Sequence, residues 1–215
     1  MQNDQILEYI EKMIPDRKKE FMEIEEYAKQ QDVPIMELIG IETLLQLLRI
    51  QQPKKVLEIG TAIGYSALRM ADAFPSSQIV SIERDDTRYL IAVENVKKFQ
   101  KESQVILLKG DALEIEEEVK AYGPFDAIFI DAAKGQYQKF FHLYSKLLAN
   151  NGVIYSDNIL FHGLVAAEKV ESRNVRQLVR KINDYNKWLM ENQEYYTAIL
   201  PVGDGIAISK KRGSE

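Results

Sequence analysis

The sequence predicts an α/β fold: a mostly parallel sheet with helices on both faces, preceded by an N-terminal helical segment. Three observations carry this. From Lys55 onward, short apolar runs of strand length alternate with amphipathic runs of helical spacing, the rhythm of strands joined by helical crossovers. The first apolar run ends in a glycine loop that opens a helix, Lys55 to Ser66 (KVLEIGTAIGYS). An acid stands at or just past the end of each of the first five strand candidates.

Residues 1 to 51 read as helical. Ile6, Leu7, Ile10 and Ile14 share a face, and Pro15 breaks the pattern. Asp16 is placed to cap a second helix carrying Phe21, Ile24, Tyr27 and Ala28. After the break at Asp32-Val33-Pro34, Met36 to Ile50 gives a third, with Gly40 as a weak point in its first turn. The strand candidates are then Val56–Gly60, Gln78–Glu83, Gln104–Lys109, Phe125–Asp131 and Gly152–Ser156. Helical runs fall between them at Tyr65–Ala73, Thr87–Gln100, Ala112–Ala121 and Gln136–Ala149. An irregular stretch, Asp157 to Ser172, leads to a long helix with Val175, Leu178, Val179, Ile182, Tyr185 and Leu189 on one face and Trp188 packing near it. Tyr195–Pro201 and Ile206–Lys210 read as two strands around a Val202-Gly203-Asp204-Gly205 turn, and Arg212–Glu215 as a frayed tail. The expected organisation is a single domain, with residues 1–51 helical and 52–215 forming the α/β core.

Composition narrows the class. The 215 residues contain no cysteine, which removes disulfides, thiolate metal sites and cysteine nucleophiles. No apolar run reaches membrane-spanning length and the first residues lack a signal-peptide core, so a cytoplasmic protein without a membrane partner is the expectation. A net charge of −5 weighs against a partner held mainly through non-specific phosphate contacts. Local basic clusters nevertheless occur at Arg17-Lys18-Lys19, Lys54-Lys55, Lys97-Lys98 with Lys101, Lys210-Lys211-Arg212, and Arg173 with Arg176, Arg180 and Lys181.

In an open parallel sheet, ligands bind outside the carboxyl ends of the strands. The acids there are Glu58, Glu83, Asp111, Asp131 and Asp157. Glu83 lies about 20 residues past the glycine loop, the spacing of an acid that holds ribose hydroxyls. The third glycine of a dinucleotide loop is missing, as are the Gly-Lys-Ser/Thr and spacing of an ATPase loop, so neither pyrophosphate nor ATP is the indicated ligand. Asp131, Asp157 and Asn158 stand on neighbouring strand ends, about 4.8 Å apart. Two carboxylates and an amide are hard oxygen donors suited to Mg²⁺ or Ca²⁺ rather than zinc. Lys134 begins the loop above them, where a neighbouring positive charge would lower its pKa. His142, inside a predicted helix, and His162, in a loop, are not assigned as ligands.

LEIGTAIGYS (Leu57–Ser66), SIERD (Ser81–Asp85), KGDA (Lys109–Ala112), FDAIFIDAAKGQY (Phe125–Tyr137) and GVIYSDNILFHG (Gly152–Gly163) together resemble the metal-dependent O-methyltransferases of the catechol and caffeoyl-CoA type. The resemblance implies a Rossmann-like class I methyltransferase with a seven-stranded sheet and a reversed last strand. It implies S-adenosylmethionine and Mg²⁺ as cofactors. Glu58, Gly60, Tyr65 and Ser66 would line the cofactor's amino-acid end, Glu83 would hold the ribose, Asp111 and Ala112 would contact the adenine, and Met36 would pack beside the sulfonium. Asp131, Asp157 and Asn158 would bind the metal, and Lys134 would assist deprotonation. Val33–Leu48 and Leu200–Lys211 are similar to a bacterial branch of the family that methylates 5-hydroxyuridine at the tRNA wobble position. That makes a tRNA anticodon loop the first expected partner, a small catechol or phenylpropanoid the alternative, and a non-catalytic nucleotide- or RNA-binding protein a distant third. The family is often dimeric, so a homodimer is expected.

Overall fold

The computed structural model describes residues 2–213. Three helices come first: α1 (Gln2–Met13), α2 (Lys19–Gln30) and α3 (Leu38–Gln51). The alternating core follows: β1 (Lys55–Ile59), α4 (Tyr65–Ala73), β2 (Gln78–Glu83), α5 (Asp86–Lys98), β3 (Val105–Lys109), α6 (Glu116–Lys120), β4 (Phe125–Ile130), α7 (Tyr137–Tyr144) and β5 (Leu148–Ser156). The long α8 (Arg173–Glu191) and the strands β6 (Tyr195–Leu200) and β7 (Ile206–Lys211) complete the chain.

The seven strands form one sheet in the order β3-β2-β1-β4-β5-β7-β6. All neighbours through β5 are parallel, and β7 runs antiparallel to both β5 and β6. The expected reversed last strand is therefore present, inserted between β5 and β6. Strand order changes direction between β1 and β4, the kind of crevice in which such sheets bind ligands.

Side-chain alternation explains the two-faced core. Along β1 and β4, Val56, Ala127 and Phe129 join a cluster under α2, α3 and α4 that includes Phe21, Leu44, Leu48 and Leu68. Leu57, Ile59, Ile128 and Ile130 point the other way, into a cluster with Phe140, Phe141, Tyr185 and Leu189 of α7 and α8. Trp188 packs as expected, with its ring edge-on to Phe141 at 5.0 Å and stacked on Tyr185 at 6.0 Å. Gly40 has a packing reason: Gly203 in the β6–β7 turn and the Met36 side chain lie where a larger residue would project.

Several boundaries depart from the sequence expectation. Asp16 does not cap α2; Lys18 holds that position, and its side chain makes no cap hydrogen bond. The run expected as a helix from Ala112 is helical only from Glu116, because Asp111 Oδ1 accepts from Leu113 N at 2.9 Å and turns the backbone first. β5 starts at Leu148, which pairs with Phe125 ahead of a register shift, so the preceding helix is cut short. In the expected frayed tail, Arg212 is tied down: its N–H donates to Glu194 O at 2.8 Å and its guanidinium lies 4.1 Å from the Tyr196 ring centroid. Residues 214 and 215 of that tail lie outside the described residues. Among the described residues, no helix is long and apolar enough to cross a membrane.

Candidate active site

The carboxyl ends of β1 to β5 open into a cavity of about 450 Å³, within the usual size of small-molecule sites. Met36, Gly60, Glu83, Asp111, Ala112, Asp131, Lys134, Asp157 and Asn158 all line it. Nine of the twelve residues expected from the sequence thus share one space.

The half over β1 to β3 is built on backbone. Gly60 adopts φ +104°, and a Cβ there would come within 1.9 Å of Asp131 O. Only glycine lets the tips of β1 and β4 approach this closely. Glu83 fixes the loop: Oε2 accepts from Ala62 N and Oε1 from Asp85 N, each at 2.8 Å. Each oxygen keeps a lone pair for a further donor, as a ribose-holding acid needs. Asp111, beyond β3, has Arg84 Nη1 at 3.7 Å.

Glu58, Tyr65 and Ser66, expected along the cofactor's amino-acid end, form a layer beneath the loop instead of a wall of the cavity. Glu58 is fully buried, and its two oxygens accept from the Ser66 and Ser81 hydroxyls. Burial pushes its carboxyl up to about 7; the two serines oppose the shift, and Asp131 and Glu83 add to it. Tyr65 turns away to donate to Glu25 at 2.6 Å and accept from Arg69 at 2.8 Å. These residues support the loop from behind because an inward-facing acid in mid-strand has hydroxyls as its nearest partners.

The half over β4 and β5 is built on acids. Ile130 pairs with Ser156, so Asp131 and Asp157 stand at matching positions one residue past adjacent strands. Burial raises the Asp131 carboxyl to about 6, with Lys134 opposing and Asp204 adding. Burial raises Asp157 well above the carboxylate range, and Asp131 raises it further. Asp204, read in the sequence only as part of a turn, also lines the cavity. It is buried, its Oδ2 lies 3.4 Å from Lys134 Nζ, and its Oδ1 accepts from His162 N. The Gly-Asp-Gly pattern was its one signal, and that reads first as a turn. Gly203 and Gly205 do take positive φ there. Lys134 is held additionally over the Phe161 ring, with Nζ 4.7 Å from the centroid.

Among the described residues, no three His, Cys, Asp or Glu side chains form a metal-holding group. Asp131, Asp157 and Asn158 supply two carboxylates and an amide, and Asp204 is already engaged with Lys134 and His162. The donor set still fits a hard divalent cation. Two carboxylates on adjacent strand ends, Asp157 buried and Asp131 half-buried, both with raised pKa values, are the electrostatic situation that such a cation relieves.

The family model for O-methyltransferases matches residues 12–212. The chain belongs to the O-methyltransferase family. The expected class, an S-adenosylmethionine-dependent O-methyltransferase, is the class found. A caffeoyl-CoA O-methyltransferase of Medicago sativa is 31% identical over 98% of this chain and 90% of its own length. A catechol O-methyltransferase of Niastella koreensis is 32% identical over 77% of each chain. Among solved structures, a Staphylococcus aureus protein with the provisional name caffeoyl-CoA O-methyltransferase superposes with a TM-score of 0.90 at 38% identity, covering 99% of this chain and all of that one. A Podospora anserina methyltransferase with bound S-adenosylhomocysteine gives 0.85 at 26% identity, over 98% and 95%.

Proposed function

We propose that this O-methyltransferase uses S-adenosylmethionine and Mg²⁺ to methylate an acidic enol or phenol hydroxyl that has a second oxygen beside it. The observation that carries the reading is the matched pair Asp131 and Asp157, facing the same cavity as Gly60, Glu83 and Lys134. The donor supplies an electrophilic methyl, and a bound divalent cation supplies charge stabilisation for the acceptor oxygen. The chain's residues do the rest. Gly60, Glu83, Asp111 and Ala112 would seat the cofactor, with Met36 at its sulfonium. Asp131, Asp157 and Asn158 would hold the metal. Lys134, restrained by Asp204 and Phe161, relays the hydroxyl proton: its ammonium gives a proton to Asp204 or to solvent and takes up the one that leaves the hydroxyl. Holding both reactants in line supplies much of the rate gain.

For the acceptor, the names of the relatives favour a catechol- or caffeoyl-CoA-like phenol. A second reading, 5-hydroxyuridine in a tRNA anticodon loop, is favoured by a specific observation. The two segments that resemble the tRNA branch meet at the cavity: a Cβ on Gly203 would come within 3.3 Å of Gly40 Cα, and Met36, Gly40, Gly203 and Asp204 all line it. The 4-carbonyl of 5-hydroxyuridine takes the place of the second catechol oxygen, and the base would be splayed out of its loop to enter. The homodimer implied by the resemblance has a ready surface in α1, where Ile6, Tyr9 and Met13 are exposed.

Deleting the gene and analysing tRNA nucleosides by mass spectrometry separates the acceptors. Loss of 5-methoxyuridine with gain of 5-hydroxyuridine supports tRNA. Unchanged nucleosides, with turnover of a catechol by the purified enzyme, support the phenol. Full activity in EDTA would refute the metal.

A further inference from the structure

We infer that the outward face of α8 is a docking surface for the phosphate backbone of an RNA stem, placed so that a loop base of that RNA reaches the cavity. The inference rests on the tRNA reading above. Four of the nine residues from Arg173 to Lys181 are basic and none is acidic, in a chain whose net charge is −5. Arg173, Arg176, Arg180 and Lys181 are all exposed. At 100° per residue Arg173 and Arg180 fall within about 20° of one line, and the basic run is about 12 Å long. Val179, Ile182, Tyr185 and Leu189 bury the opposite face, so the orientation of this stripe is fixed by the core.

The helix that carries the stripe is tied on both sides to segments next to the cavity lining. On one, α8 holds the irregular segment that follows the metal-ligand candidates. Asn186 Nδ2 donates to Ile159 O at 2.8 Å, Asn183 Nδ2 to Val165 O at 3.3 Å, and Arg176 Nη1 to Val170 O at 3.0 Å. On the other, Lys181 lies against the loop of Lys134, where a Cβ on Gly135 would come within 3.3 Å of its Cδ and Nζ. α8 is therefore braced against segments that adjoin cavity-lining residues: Ile159 follows Asn158, and Gly135 stands between Lys134 and Gln136. Asp184, with its carboxylate 3.9 Å from Arg180 Nε, marks where the wholly basic stretch ends. A polyanion with regularly spaced charges matches the stripe by charge, and sequence-independent phosphate contacts of this kind position a nucleic acid without reading it.

The test uses an RNA hairpin of anticodon stem-loop sequence carrying 5-hydroxyuridine at the wobble position. In the triple variant Arg173→Ala, Arg180→Ala, Lys181→Ala, the hairpin Kd should rise about tenfold or more near 0.1 M salt, and the slope of log K against log salt should shrink by about three. Affinity for S-adenosylhomocysteine should stay unchanged, which controls for folding, and the Lys-for-Arg pair Arg173→Lys, Arg180→Lys should bind as the parent does. Equal hairpin affinity in the triple variant, with tRNA still methylated by the parent, overturns the surface and leaves the tRNA reading standing. A parent enzyme that neither binds nor methylates the hairpin removes both. A triple variant that raises KM only for a coenzyme A thioester reassigns the stripe to that smaller anion.

Discussion

The two halves of the cavity are held together by opposite means. Over β1 to β3, the acids that shape the loop already have partners: Glu83 accepts one backbone N–H on each oxygen and keeps a free lone pair on each, and Glu58 beneath it accepts from two hydroxyls. Over β4 and β5, Asp131, Asp157 and Asp204 crowd one another with Lys134 as the nearby cation. Left-handed backbone occurs in both halves, at Gly60, Ala62 and Gly64 in the first and at Asn158, Phe161 and His162 in the second. The first half is a pre-organised cradle. The second concentrates like charge that a bound cation would relieve, a pattern that marks candidate functional sites.

The largest test of this contrast is Asp157→Asn. It keeps the shape but removes a charge, so turnover should fall at least about 10³-fold. In EDTA, the same variant should melt about 2–4 °C higher, because it relieves the repulsion with Asp131. A lower melting temperature would show that the acid is structural. Next, Asp204→Asn keeps an acceptor for His162 N but loses the ion pair with Lys134. Its kcat should drop about tenfold with KM for S-adenosylmethionine unchanged; a raised cofactor KM with normal kcat would place Asp204 in the other half.

The third test, Glu58→Gln, acts on stability and leaves the contacts of Lys134 untouched. The native carboxyl titrates near 7, against an ordinary value of 4.5. The folded state therefore binds a proton that the unfolded state has released, and stability should fall as pH rises from about 4.5 to about 7, by roughly 3 kcal/mol. The glutamine variant should show a flatter profile in urea unfolding at stepped pH. An unchanged slope would mean that Glu58 is not the titrating group.

The same contrast governs what the sequence made legible. Strand–helix alternation and the acids at strand tips are local patterns, and β1 to β4 and the cavity residues followed from them. The resemblance sets Glu58, Tyr65 and Ser66 along the cofactor's amino-acid end, but a motif carries no depth; whether a side chain reaches the cavity or a buried serine is decided by packing across β1 and β2. Asp204 was missed because its importance is a contact across 70 residues, with Lys134, that no periodicity encodes. The Asp111 turn and the early start of β5 were missed for a related reason: a side-chain hydrogen bond and a cross-strand pair overrode helical spacing.

The insertion of β7 between β5 and β6 has a consequence for biosynthesis. A chain leaving the ribosome can pair β1 through β5 as each emerges, and with them assemble the cradle under Gly60 and Glu83. β6 emerges before its only neighbour in the sheet exists. Asp204 and the backbone acceptors for Ile159 and Leu160 arrive just ahead of β7. Synthesis thus delivers the residues over β1 to β3 early and leaves Lys134 without Asp204 until the turn ahead of the final strand emerges.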